Sequence, residues 1–121
     1  MELQNRCQLI TYPDSFGRSL PELSEAAERH LQGIVDGIHI LPFYPSSADR
    51  GFAPLTYYEV DPAFGTWADV RSLASRFSLT VDFMLNHISR QSEYFGDFLR
   101  RKDSSPYADL FIRYKRFWPP G

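Results

Sequence analysis

The chain has 121 residues, enough for one domain, and its 43% hydrophobic and 23% charged content excludes disorder. A net charge of −2 offers no basic footprint for nucleic acid or an anionic membrane, and no window approaches the ~18 apolar residues of a membrane span. The single cysteine, Cys7, excludes an internal disulfide and a cysteine-based metal site, and its place in an apolar strand predicts a buried, inert thiol.

Residues 1–6 lack the apolar stretch of a signal peptide, so the cytoplasm is the expected location. Residues 7–12 read as a first strand, stopped by Pro13. Ser19-Leu20-Pro21-Glu22 matches a capping box with proline in the first turn, and Leu20, Leu23, Ala27, Leu31 and Ile34 follow at helical spacing. Gly33 and Gly37 bracket the helix exit, and residues 37–43 form strand two. The loop over residues 44–62 is about three times the median connection, and loops of that length without helix or strand are usually functional or mobile. Thr66-Trp67-Ala68-Asp69 opens a second helix with an acidic residue at the capping-box position and a buried face of Trp67, Val70, Leu73, Ala74 and Phe77. Residues 79–85 are strand three. Residues 90–101 are a third helix, with Tyr94, Phe95, Phe98 and Leu99 inward. Residues 107–118 are aromatic without clear periodicity, and Pro119-Pro120-Gly121 reads as loop.

Strands alternating with helices imply an α/β fold with a parallel sheet and right-handed crossovers. A doubly wound nucleotide fold needs a glycine-rich turn after strand one. Here that turn, Pro13-Asp14-Ser15-Phe16-Gly17-Arg18, has one glycine. A barrel fits better, with its ligand chemistry just past the C-terminal strand ends.

Polar residues collect there. Asp82 lies within strand three, and a carboxylate in an apolar strand must be paired or hydrogen-bonded; under strict alternation Met84 and Asn86 share its face. Asn86-His87 closes the strand where a barrel would open. Asp49 and Phe52 lie in the long loop. Asp-Arg-Gly is ordinary turn chemistry, yet an acid beside an aromatic also suits a sugar: the carboxylate accepts hydroxyl hydrogen bonds and the ring covers the C–H face. His30 and His39 read as structural, and Tyr57, Tyr58, Trp67 and the aromatics near the C-terminus as packing. No metal and no cofactor is expected.

Four stretches together resemble glycoside hydrolase family 13, the α-amylase family, most of all its sucrose phosphorylase branch. They are Gln8-Leu9-Ile10-Thr11-Tyr12; Gly37-Ile38-His39-Ile40-Leu41-Pro42-Phe43; Asp49-Arg50-Gly51-Phe52 with Val60-Asp61-Pro62 and Phe64-Gly65-Thr66-Trp67; and Asp82-x-x-x-Asn86-His87. The resemblance implies the first three βα units of an incomplete (β/α)8 TIM barrel over residues 1–121, ending near the start of a domain inserted after strand three. It implies that Asp49 and His87 bond hydroxyls of a glucosyl unit, that Phe52 is the aromatic of that subsite, and that Asp82 and Asn86 support it. Asn86 matches a calcium-binding position of amylases that the phosphorylase branch generally does without. Ser89-Arg90-Gln91-Ser92 leans toward glucosylglycerate-like substrates.

The family's retaining mechanism uses carboxyls roughly 5 Å apart, contributed by later strands of a barrel of about 250 residues. The resemblance places the nucleophile and the acid/base beyond Gly121, so no catalytic residue is expected within the chain. It reads as the N-terminal part of a disaccharide phosphorylase that takes a sucrose- or glucosylglycerate-like glucoside and phosphate, inactive by itself. A half-enzyme completed by a separate C-terminal chain and a stand-alone carbohydrate-binding module are the alternatives. The apolar side chains expected to face the barrel interior are drawn from the set Leu9, Ile10, Ile38, Ile40, Val81, Phe83 and Leu85.

Overall fold

The computed structural model describes residues 7–118, so the readings given to residues 1–6 and 119–121 lie outside the described residues. Gly121, the position past which the nucleophile and acid/base are expected, is among them: its reading as loop and as the limit of the non-catalytic part has no counterpart in the described structure. Three strands, β1 (Gln8–Thr11), β2 (Gly37–Ile40) and β3 (Ser78–Val81), form one parallel sheet in the order β1-β2-β3. Ile38 stands between Leu9 and Leu79, and Ile40 between Thr11 and Val81. The described chain also holds four α-helices, α1 (Leu20–His30), α2 (Trp67–Ala74), α3 (Glu93–Arg101) and the single turn α4 (Tyr114–Phe117), and three short 3-10 turns at Asp49–Gly51, Lys102–Ser104 and Ala108–Leu110.

The core is one layer between the sheet and the first two helices. Leu20, Leu23 and Ala27 of α1 and Val70 and Leu73 of α2 cluster with Ile38 and Ile40, and Phe43, Tyr44, Val60, Phe77 and Met84 complete it. The strands are shorter than the apolar runs that announce them. Pro42 cannot donate to a ladder, and past Val81 the Tyr57 hydroxyl donates to the Met84 carbonyl at 2.7 Å. Strand three therefore stops at Val81 rather than reaching Leu85; in the segment that follows Met84 is buried, while Phe83 and Leu85 are exposed.

Alternation within the strands corrects another expectation. Leu9, Ile38 and Ile40 face the helices, not the barrel interior. The opposite face carries Gln8, Ile10, His39 and Thr80, and only Ile10 of these is apolar. The Gln8 amide reaches across β2 at Gly37 to donate to the Thr80 hydroxyl at 3.0 Å, and a Cβ on Gly37 would come within 3.2 Å of the Ser78 carbonyl oxygen.

Helix ends account for further differences. Thr66 and Asp69 form the expected capping box, with the Thr66 N–H and hydroxyl both donating to the Asp69 carboxylate. Ser19 and Glu22 do not: Glu22 accepts from the Arg18 N–H at 2.9 Å instead. Because α1 stops at His30, Ile34 falls outside the helix and is 64% exposed. Ala74, at the end of α2, is exposed as well. Leu99 is exposed, and α3 buries no residue fully; its Tyr94 and Phe98 instead meet Tyr107 and Phe111, with ring centroids 5.0 Å apart in both pairs. Tyr58, Tyr114, Phe117 and Trp118 are exposed rather than packed inside. Cys7 is exposed, not buried, and directly precedes β1.

Two outcomes follow from this packing. Leu23→Ala should destabilise the fold by about 2–5 kcal/mol, since it empties a sealed site, whereas Ile34→Ala should change stability by less than about 0.5 kcal/mol; equilibrium urea unfolding measures both. Among the described residues, β1 and β3 each have one edge without a strand partner. Such edges invite pairing with other chains, so the 121-residue chain alone should self-associate in sedimentation velocity, and a monomer at all concentrations would contradict this.

Candidate functional site

Because the three strands run parallel, the segments leaving their C-terminal ends emerge on the same side of the sheet: Tyr12 after β1, residues 41–62 after β2 and residues 82–92 after β3. The long loop is not structureless. It holds an antiparallel bridge between Ser46 and Pro54 and a 3-10 turn over Asp49–Gly51. Its base is closed by Ser47 N–H to Ala53 O at 3.1 Å and Leu55 N–H to Pro45 O at 2.8 Å. It is tied to the segment after β3 by Ser89 N–H to Pro54 O at 2.9 Å and by the Ser47 and Ser89 hydroxyls at 2.6 Å. Ser92 caps α3 by accepting from the Phe95 N–H. Ser89 and Ser92 are thus buried ties of the scaffold, their hydroxyls engaged within the protein.

At the loop tip Asp49, Arg50 and Gly51 have φ of 58°, 47° and 99°. A left-handed conformation costs a residue with a Cβ roughly 1–2 kcal/mol. Gly51 is required outright, because a Cβ there would sit 2.6 Å from the Pro42 carbonyl oxygen. The turn presents Asp49, exposed, on a cleft of about 400 Å3 lined also by Tyr12, Asp14, Tyr44, Arg50 and Phe64.

Phe52 and His87 are brought into direct contact. His87 Nε2 lies 2.6 Å from the Phe52 carbonyl oxygen, and its Nδ1 lies 2.8 Å from the Asn86 side-chain nitrogen. A carbonyl can only accept and an amide NH2 can only donate, so these contacts match the tautomer that donates from Nε2 and accepts at Nδ1. The cleft beside Asp49 does not include Phe52 or His87; the three share a loop mouth rather than one cavity.

Asp82 pairs with His39, Oδ2 to Nε2 at 3.2 Å, both side chains about three-quarters buried. The partner of Asp82 was thus already in the sequence. In a parallel register that sets His39 beside Thr80, Asp82 is the next polar group, one residue past the end of β3. Tyr44 was not singled out in the sequence, yet it is buried against this pair and its ring lies 5.0 Å from that of Tyr57. Burial, then the neighbouring Tyr57 and Asp82, raises the Tyr44 phenol above its ordinary 10.0. Burial also raises Tyr57, with its hydrogen bond to Met84 opposing. Among the described residues no group of three or more His, Cys, Asp or Glu side chains could hold a metal, and no helix is long and apolar enough to cross a membrane.

A folded phenol that ionises later than its unfolded counterpart contributes stability in full below pH 10.0, and that stability is lost as pH climbs through the raised folded value. Tyr44→Phe should accordingly flatten the fall in stability above pH 10.0, read by urea unfolding along an alkaline series.

A parallel succession of three βα units, with the connecting segments gathered past the C-terminal strand ends, is the beginning of a (β/α)8 barrel. Residues 12–120 match the alpha amylase catalytic domain family, and the chain belongs to it. It is 50% identical over its full length to the sucrose 6(F)-phosphate phosphorylase of Thermoanaerobacterium thermosaccharolyticum, covering 25% of that protein. It is 50% identical over 98% of its length to the sucrose phosphorylase of Streptococcus mutans, again covering 25%, and 47% identical over 97% to the glucosylglycerol phosphorylase of Marinobacter adhaerens, covering 24%. The crystal structure of a sucrose 6F-phosphate phosphorylase superposes with a TM-score of 0.89 over 98% of the chain and 24% of that structure, at 50% identity. The chain thus spans about a quarter of the length of these relatives and corresponds to their N-terminal region, a partial barrel.

Proposed function

We propose that the chain supplies part of the glucosyl-binding subsite of a retaining disaccharide phosphorylase, which moves a glucosyl unit from a glucoside to phosphate. The observation that carries this reading is the Phe52–His87 contact, which sets a residue from the loop after β2 against one from the segment after β3, with Asp49 on the same loop. The names of the relatives support the substrate class: each is a phosphorylase of a sucrose-like or glucosylglycerol-like compound. The chain is the first three βα units of the barrel, and the nucleophile and acid/base belong to strands that follow them in the family.

In this subsite the Asp49 carboxylate accepts hydrogen bonds from ring hydroxyls, and the Phe52 ring covers a C–H face. Both nitrogens of His87 are engaged within the protein. The imidazole contributes to the sugar by exchanging the Phe52 carbonyl for a hydroxyl at Nε2, while Asn86 holds the other side. His87 is exposed, so this exchange needs little repacking. Asp82, held by His39, supports the floor of the site from within the strand face.

The chain joined to the remaining strands of an active barrel provides the test. Asp49→Ala should lower kcat roughly 10–100-fold, the worth of a hydrogen bond to a charged group, with a smaller rise in KM for α-D-glucose 1-phosphate. The hydroxyl contacts tighten as the ring approaches its oxocarbenium-like transition state. An unchanged kcat with only a raised KM would show that Asp49 supplies uniform binding. The 121-residue chain alone should release no glucose 1-phosphate from sucrose.

A further inference from the structure

The turn that carries Asp49 needs something to hold it. Asp49, Arg50 and Gly51 occupy positive φ in succession. Aspartate tolerates that region through its short polar side chain, and glycine has no Cβ to clash, but arginine gains nothing from it. At φ 47° and ψ 42°, Arg50 sits where glycine would sit without strain. What the arginine brings is its side chain. One guanidinium nitrogen donates to both carboxylate oxygens of Asp14, at 2.8 and 3.0 Å, and the guanidinium carbon lies 4.0 Å above the centre of the Tyr12 ring. Both anchors belong to the segment leaving β1, which is pinned by the fully buried Pro13.

We propose that Arg50 is a positioning residue for Asp49: it bolts the left-handed turn of the β2 loop to the end of β1, so that the carboxylate is held ready for the sugar. This rests on the reading of Asp49 as a hydroxyl acceptor. The clamp is a poor device for stability. Its two charged side chains are 60% and 36% exposed, and ion pairs so placed contribute little to folding. It is a good device for orientation, because a planar guanidinium can meet a carboxylate at its edge while covering an aromatic with its face. The single ammonium of a lysine cannot do both at once.

The test uses the full chain joined to the remaining strands of a barrel that turns over α-D-glucose 1-phosphate before any substitution is made. Arg50→Gly keeps the positive φ accessible and removes only the clamp. It should lower kcat about tenfold, with a change in KM of less than about threefold and little change in Tm. Arg50→Lys should restore less than half of the lost kcat. Because Arg50 acts through Asp49, the double variant Asp49→Ala/Arg50→Gly should be no slower than Asp49→Ala alone. Wild-type kcat in Arg50→Gly, full recovery in Arg50→Lys, or an additive tenfold loss in the double variant would each overturn the clamp. A barrel whose kcat and KM are both unaffected by Asp49→Ala would instead overturn the sugar reading beneath it, so the two failures are distinguishable.

Discussion

Sealing Ile38 and Ile40 beneath α1 and α2 is the constraint on which the rest of the structure depends. Both side chains are fully buried against Leu20, Leu23, Ala27, Val70 and Leu73. Strand side chains alternate, so fixing these two on the helix side turns His39 to the other face. The parallel register then places Gln8, Thr80 and Asp82 where they can meet across that face. Any slip by one residue would drive His39 into the apolar layer and expose both isoleucines. The same apolar contacts that hold the fold together therefore set the polar floor beneath the site.

Above that floor, function depends on a loop made rigid by local means. Its base is closed by backbone hydrogen bonds, its side is stapled to the segment after β3 through Ser89, and its tip is forced into left-handed backbone beside Pro42. A scaffold of three short strands can position a binding residue closely only if the connection between strand and residue does not flex. Here strain at Asp49 and Arg50 is balanced by contacts to the segments that follow β1 and β3, an arrangement typical of functional sites.

Much of this was legible in the sequence, for identifiable reasons. Apolar runs in βα order announced the parallel sheet, and Thr66 with Asp69 announced the start of α2, because each signal is local. The same locality misled at Ser19, where Glu22 turned to the Arg18 N–H, and at Ile34, whose spacing continued past a helix that had ended. Strand ends were overextended because hydrophobicity does not report where a ladder stops. The inward apolar candidates were drawn up without a register, so they mixed Leu9, Ile38 and Ile40, which face the helices, with Ile10, which faces the other way. The resemblance to the α-amylase family supplied Asp49, Phe52 and His87. It did not reveal that both nitrogens of His87 are engaged within the protein, that His39 holds Asp82, or that Arg50 anchors the turn. Those facts need three dimensions, since all the partners but the adjacent Asn86 lie 35 to 43 residues away.

The central claim is that the loops after β2 and β3 form one face of a glucosyl subsite. A crystal structure of glucose bound to a complete barrel containing this chain tests it most directly. The account expects Asp49 and the Nε2 of His87 within about 3.2 Å of ring hydroxyls, with Phe52 against the ring and the His87 bond to the Phe52 carbonyl released. Glucose bound elsewhere, with Asp49 facing solvent and His87 still on that carbonyl, would contradict it.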